Sequence, residues 1–246
     1  MIKKLNLLIS KSRVRKKENR FVVSGERELT RAVEMGYKVD TLFYRVDYDE
    51  KIIRVHSDSV YELSSALFDR LSKQSGSEEV IAILETKSHH IKDITVDNDC
   101  RVLVVEAPEK PGNIGALLRT AAAAGWDAVI IANPKTDLYH PQIIRNSMGG
   151  VFCIPIASAS SEEVISFLEV NAFNISAAAL NNEAKHFKRV KYQRPLALVF
   201  GTEDKGLSQK WLKKAKHIVQ IPVKFPIDSL NLSVSAGILM YHCVDE

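Results

Sequence analysis

Cysteine is scarce in this sequence. Cys100, Cys153 and Cys243 lie far apart and fit neither a disulfide framework nor a zinc motif. A reducing, cytoplasmic setting is therefore the expectation. No apolar run approaches the ~20 residues that a membrane helix needs, so no membrane association is expected. The basic N-terminus is not followed by an apolar core and cleavage site, and no signal peptide is expected. Phosphate-binding fingerprints are missing too. No G-x-G-x-x-G follows a strand, and no G-x-x-x-x-G-K-[ST] occurs, which removes the support for a nucleotide-dependent oxidoreductase. Metal-ligand clusters are absent: His89 and His90 are adjacent in a polar stretch, poorly arranged for one metal, and expected to face solvent. Internal repeats and low-complexity segments are also lacking.

What is present is the composition of a globular protein, 46% hydrophobic and 26% charged over 246 residues. That length holds one large domain or two modest ones. The net charge of +4 is mild, but it is unevenly spread. Between Lys11 and Arg20 there are six Lys or Arg residues and one acid, Glu18. Such a cluster is either a solvated helix face or a phosphate-contacting arm, in which Arg13, Arg15, Lys16 and Lys17 would meet the backbone of a nucleic acid. A second cluster comprises Lys185, Lys188, Arg189, Lys191 and Arg194. Together they favour a polyanionic partner.

Residues 1–20 form a basic N-terminal segment, and 21–92 a small α/β unit. FVVSG, VDTLFYR and EVIAILE have strand patterns. ERELTRAVEMG is a helix stopped by Gly36, and SDSVYELSSALFDRLS, residues 57–72, has Val60, Leu63, Leu67 and Leu71 at helical spacing. Residues 86–99 are polar and look like a linker. From 93 to 246 the expectation is a second domain. RVLVVEA, DAVIIAN, VFCIPI, FNISAAA, PLALVF and HIVQI are apolar runs typical of strands buried on both faces of a mostly parallel sheet. Helical stretches lie between most of them, one opened by a Ser160/Glu163 capping box. The fold class is α/β, with ligands expected beyond the carboxyl ends of the strands.

Three loops carry the chemistry. In EAPEKPGNIGALLRTAAAAG, Asn113 is expected to cap a helix on which Arg119 is the one charge. Ala116 and Gly115 are small enough to let its guanidinium lean back to the loop mouth. In VFGTEDKGLS, Gly201 and Gly206 bracket Glu203 after an apolar strand, and Ser208 can cap the next helix. The third, IPVKFPIDSLNLSVSAGILM, has no charged face between Leu230 and Tyr241. It is expected to be buried, with its Ser and Asn groups bonded to something specific.

Taken in order, these loops resemble the three motifs of the SpoU-type (TrmH-like) RNA ribose 2′-O-methyltransferases of the SPOUT superfamily. Asn113, Gly115 and Arg119 match the first motif; Gly201, Glu203, Gly206, Leu207 and Ser208 match the second. Ile221, Pro222, Ser229, Leu230, Asn231 and Ser233 match the third. The resemblance covers about residues 100–246, and the 21–86 unit is similar to the family's ribosomal-protein-like RNA-binding domain. It departs in the run Val223-Lys224-Phe225-Pro226, where many members carry Met and a nearby Gly. The resemblance implies a parallel sheet whose C-terminal stretch threads a trefoil knot, a rare exception to unknotted topology. It implies a homodimer through that knotted domain, with an active site drawing on both subunits. It also implies S-adenosylmethionine as cofactor, lined by Gly201, Ile221, Leu230 and the Ala179-Leu180 strand end. Arg145, with Ser147, matches a recurrent segment for phosphate or dimer contacts.

On that basis Arg119 is the expected central catalytic residue. A guanidinium is a poor general base, so its role is to stabilise the developing alkoxide and grip the adjacent phosphate. Asn113 would orient Arg119 or the ribose, Glu203 would position loop or partner groups, and Ser229 and Asn231 would hold the site in register. Ribosomal RNA is favoured as substrate. The alternatives are transfer RNA, or a catalytically silent RNA-binding or ribosome-assembly protein on the same scaffold.

Overall fold

The computed structural model describes residues 1–48, 56–75 and 80–244. Along the chain the elements begin with α1 (Ile2–Ser10), α2 (Ser12–Glu18), β1 (Arg20–Ser24), α3 (Glu26–Glu34), β2 (Val39–Arg45), β3 (Ser57–Leu63), α4 (Ser65–Ser75) and β4 (Val80–Glu85). Next come β5 (Arg101–Glu106), α5 (Pro111–Ala123), β6 (Ala128–Ala132), α6 (Pro141–Asn146), α7 (Gly150–Cys153), β7 (Ile156–Ala159) and α8 (Ser161–Val170). The last are β8 (Asn174–Ala178), β9 (Lys185–His186), β10 (Leu196–Phe200), α9 (Gln209–Lys214), β11 (His217–Gln220) and α10 (Leu232–His242). Contacts divide them into two units: Met1–Ser88 with Asp137–Cys153, and His89–Thr136 with Ile154–Glu246.

The first unit holds a four-stranded sheet in the order β1-β4-β2-β3. β4 runs antiparallel to both of its neighbours, and β3 lies parallel to β2 at the edge. The basic N-terminal segment is part of this unit. Leu5, Leu8 and Ile9 of α1 join Val22, Phe43, Phe68 and Ile83 in one core. α3 ends as its sequence predicts, with Gly36 left-handed at φ +73°. The helix expected over 57–72 is instead strand β3 followed by α4. Val60 is exposed on the edge strand, whereas Leu63 and Leu71 are buried and Leu67 packs on the core. Their shared spacing had joined residues of two elements, and the bond from Phe68 N–H to the Ser64 carbonyl marks where the helix starts.

The segment 137–153 belongs to this unit as well. Phe152 lies within ring-contact distance of Tyr37 and Phe21, and Tyr139 stacks on Phe21 at 4.2 Å. The strand expected over VFCIPI is therefore helical turn α7, with the strand delayed to β7. Val151 and Phe152 are apolar because they pack here, and Pro155 brings no N–H to a ladder.

In the second unit seven strands run in the order β7-β6-β5-β10-β8-β11-β9, and every neighbouring pair is parallel. β6 and β10 are buried along their whole length, as apolar runs covered on both faces must be. β10 slots between β5 and β8, strands made earlier in the chain. Its register sets Phe200 beside Ala178, and Ala178 in turn beside Val219, so three strand ends lie level. α8 opens with the capping box Ser160/Glu163. The polar stretch before β5 is tied to the unit: Ser158 N–H bonds the His89 carbonyl, the His89 Nδ1 lies 3.1 Å from the Ile156 carbonyl, and Ile94 enters the core. His89 is thus half-buried rather than solvated, while His90 is exposed.

Candidate functional site

At the level ends of β10, β8 and β11 a cavity of about 780 Å³ opens. This is a usual size for a small-molecule site, at a usual place in a parallel sheet. Its apolar lining includes Leu180, Phe200, Val219, Ile221, Leu230 and Leu239, and its polar lining includes Asn113, Glu203, Gln220, Asp228 and Ser229. All three loops singled out in the sequence contribute to it.

A chain of side-chain hydrogen bonds joins those loops. Ser233 donates its backbone N–H (2.9 Å) and its hydroxyl (2.6 Å) to the Asn231 Oδ1. Asn231, the N-cap of α10, donates from Nδ2 to the Asn113 Oδ1 at 3.2 Å. Asn113 donates in turn to the Glu203 Oε1 at 2.6 Å. Residues 113, 203 and 231 are thereby fixed against one another with both ends of each amide used. α5 begins at Pro111 with Lys110 as N-cap, so Asn113 is not the cap that its sequence position suggests. Its amide serves the other two loops instead.

The second loop is a tight hairpin in which Thr202 and Gly206 exchange both backbone hydrogen bonds at 3.1 Å. Gly201 is required here because a Cβ would overlap the backbone of Gly206 and Leu207. Glycine at 206 serves the turn, with φ +65°.

Behind the loop sits a residue that the sequence reading missed. Glu106, buried at the end of β5, accepts from the Ser208 N–H and hydroxyl, each at 2.9 Å, and from the Ser161 hydroxyl at 3.1 Å. The Ser161 hydroxyl accepts from Asn133 Nδ2 and from the indole N–H of Trp211, which is wholly buried. Ser208 occupies the N-cap position of α9 but caps it with no side-chain bond, because its hydroxyl is given to Glu106. An acidic residue closing an otherwise apolar buried strand was the available signal.

Of the expected cofactor residues, Gly201, Ile221, Leu230, Ala179 and Leu180 all line the cavity. Of the expected catalytic residues, Asn113, Glu203, Ser229 and Asn231 do as well. Arg119 does not. It is exposed on α5, without a hydrogen-bond or ion-pair partner among the described residues, and the Asn113 amide bonds Glu203 and Asn231 instead of it. α10 is not buried as expected either. Ala236, Leu239 and Met240 are buried, with Gly237 close to Thr120 of α5, while Val234, Ile238 and Tyr241 are exposed on the opposite side. An apolar helix with no charged face has been left half uncovered.

Among the expected RNA-contacting residues, Arg13, Lys16, Lys17 and Arg145 are exposed. Arg15 is a correction. It is 2% exposed and donates to Asp137 at 2.5 Å and to the Leu8 and Ile9 carbonyls. Those bonds close the end of α1, so Arg15 holds the fold and is not offered to a polyanion. Among the described residues, no group of three or more His, Cys, Asp or Glu could hold a metal, and no helix is long and apolar enough to cross a membrane.

The chain is similar to known proteins over most of its length. Residues 100–241 match the SpoU rRNA methylase family, and residues 1–82 match an MRM3-like substrate binding domain. A 23S rRNA (uridine(2479)-2′-O)-methyltransferase of Streptomyces viridochromogenes is 27% identical over 97% of this chain and 87% of its own. A 23S rRNA (guanosine(2553)-2′-O)-methyltransferase of Bacillus subtilis is 27% identical over 93% and 90%. Among solved structures, the SpoU methyltransferase AviRb of S. viridochromogenes in complex with AdoMet superposes with a TM-score of 0.89, at 26% identity over 99% of this chain and 96% of that one.

Proposed function

The chain belongs to the SpoU rRNA methylase family, and on that footing we propose that it transfers the methyl group of S-adenosylmethionine to a ribose 2′-hydroxyl of ribosomal RNA. The observation that carries this reading is the hydrogen-bonded junction of Asn231, Asn113 and Glu203 at the cavity wall. The cavity suits the cofactor. Apolar Leu180, Ile221 and Leu230 can flank a flat base, Gly201 lets backbone come close, and the carboxyl groups of Glu203, Asp204 and Asp228 suit a cationic sulfonium. When bound, S-adenosylmethionine supplies an activated methyl on sulfur. The chain's own residues must then bring in the ribose and stabilise the charge on its oxygen.

Arg119 supplies that stabilisation. A guanidinium keeps its proton at neutral pH, so it grips the developing alkoxide and the neighbouring phosphate instead of acting as base, and an oxygen of that phosphate takes the hydroxyl proton as the methyl leaves sulfur. Because Arg119 lies outside the cavity of its own chain, it works in a homodimer. α10 packs on α5, and its exposed face, with Val234, Ile238 and Tyr241, is the surface that a second copy covers. The C-terminal chain after β11 packs back on β10 and α5, which suits a trefoil knot. The first unit, with Arg13, Lys16, Lys17 and Arg145 exposed, binds the RNA substrate. The relatives named above, matched over most of the chain, favour ribosomal RNA and thus a cytoplasmic place of action.

The test is methyl transfer from labelled S-adenosylmethionine to ribosomal and transfer RNA taken from a strain lacking this gene, with the modified ribose mapped. Label at a 2′-oxygen of ribosomal RNA is expected. Label on transfer RNA alone, or no transfer despite RNA binding, would overturn the reading.

A further inference from the structure

The loop between β11 and α10 carries a side chain that neither its own fold nor the cavity uses. Phe225 is 96% exposed. The Ile227 N–H donates to the Lys224 carbonyl at 3.0 Å, closing a turn with Phe225 and Pro226 at its tip. On either side of that tip the chain returns to the cavity, where Val223 lines it before the turn and Asp228 to Asn231 line it after. The turn therefore stands on the rim, and its ring projects away from the protein. Lys224 beside it is exposed and has no acidic partner among the described residues. Ile227 and Leu230, at 57% and 37% exposed, continue an apolar edge from the ring to the cavity.

This combination has a chemical meaning at that place. RNA read as single strand presents unstacked bases, which proteins hold on aromatic faces while nearby cations take the phosphates. A ribose presented to the cavity brings its flanking nucleotides across the rim. Resting on the methyl-transfer reading above, we infer that Phe225 is a stacking platform for an unpaired RNA base next to the methylated nucleotide, with Lys224 on the adjoining phosphate. The site selects substrate through this turn, where the chain departs from the pattern its third loop otherwise follows.

The test compares wild type with Phe225→Ala, Phe225→Leu and Phe225→Trp. Each is titrated with S-adenosylhomocysteine, weighed by light scattering, and assayed for binding and methylation of unmodified 23S ribosomal RNA transcribed in vitro. Alanine and leucine are expected to weaken RNA affinity and raise the KM for RNA about tenfold or more, the effect of losing one stacked base. Tryptophan is expected to hold wild-type affinity, with its added fluorescence quenched by RNA. Cofactor affinity and molar mass should not change. RNA affinity within twofold of wild type in Phe225→Ala would overturn the inference. So would a leucine variant that binds like wild type, since bulk without a ring would then suffice. A loss of cofactor affinity would assign the ring to the cavity, and a change of mass would assign it to a contact between copies; either result contradicts stacking. If wild type itself neither binds nor methylates RNA, the function reading fails; if wild type is active and Phe225→Ala equals it, only the stacking fails.

Discussion

The floor of the cavity and its rim are built differently. At the floor, Asn231 donates to Asn113, Asn113 donates to Glu203, and Glu106 behind them accepts three hydrogen bonds. At the rim and on the neighbouring helices, Arg119, Lys224, Phe225, Val234 and Ile238 stand exposed. Of these groups Glu106 is buried, and a buried polar group without a partner costs about 1–3 kcal/mol; the half-buried Asn113 and Glu203 and the exposed Asn231 are held by their mutual hydrogen bonds. An exposed group carries no such cost, and it can wait for a partner. The contrast fits the two tasks proposed above: a hydrogen-bonded junction for a small ligand, and exposed side chains for macromolecular partners.

Substitutions can break this contrast from either side. The largest effect is expected from Arg119→Ala, which should lower turnover about 10²–10³-fold, as removal of a charge-stabilising donor does. Single-turnover methyl transfer at saturating RNA measures it, and a rate within threefold of wild type would remove Arg119 from the reaction. On the floor, Gly201→Ala forces a Cβ into the backbone of Gly206 and Leu207. Overpacking strain of about 2–3 kcal/mol corresponds to a roughly 100-fold loss of cofactor affinity, measured by calorimetry.

Glu106→Leu acts one layer further back. It leaves the Ser208 N–H and two hydroxyls without their acceptor, which should cost about 3 kcal/mol and lower Tm by about 6–12 °C. An unchanged melting curve would show that the network contributes nothing to folding. The smallest effect is chemical. Burial, reinforced by the charge of Asp127, pushes the Cys100 thiol up to about 11, whereas Cys153 is exposed. Reaction requires the thiolate, so at pH 8 one thiol per native chain should react promptly with a disulfide reagent, and Cys100 only after unfolding. Prompt labelling of Cys100 would contradict its place in the core.

Local signals were legible in the sequence and distant ones were not. The capping box of Ser160 and Glu163 spans one turn, and Gly36 ends a helix within its own neighbourhood. The buried strands announce themselves by unbroken apolar runs, and the three loops by the residues that now meet at one cavity. Arg15 reads as one more member of a basic run because its partner, Asp137, stands 122 residues away. VFCIPI reads as a strand because apolar residues packing a helical turn look the same. The face of α10 reads as buried because its sequence carries no polar side, and only the packing shows that one side stays open.

The floor is expected to bind the methyl donor in a single chain's cavity without help from the rim. Titration of S-adenosylhomocysteine into wild type, Arg119→Ala and Gly201→Ala tests it most directly. One site per chain is expected, with equal affinity for wild type and Arg119→Ala and roughly 100-fold weaker binding in Gly201→Ala. No binding to wild type, or an Arg119→Ala affinity that falls as far as that of Gly201→Ala, would contradict it.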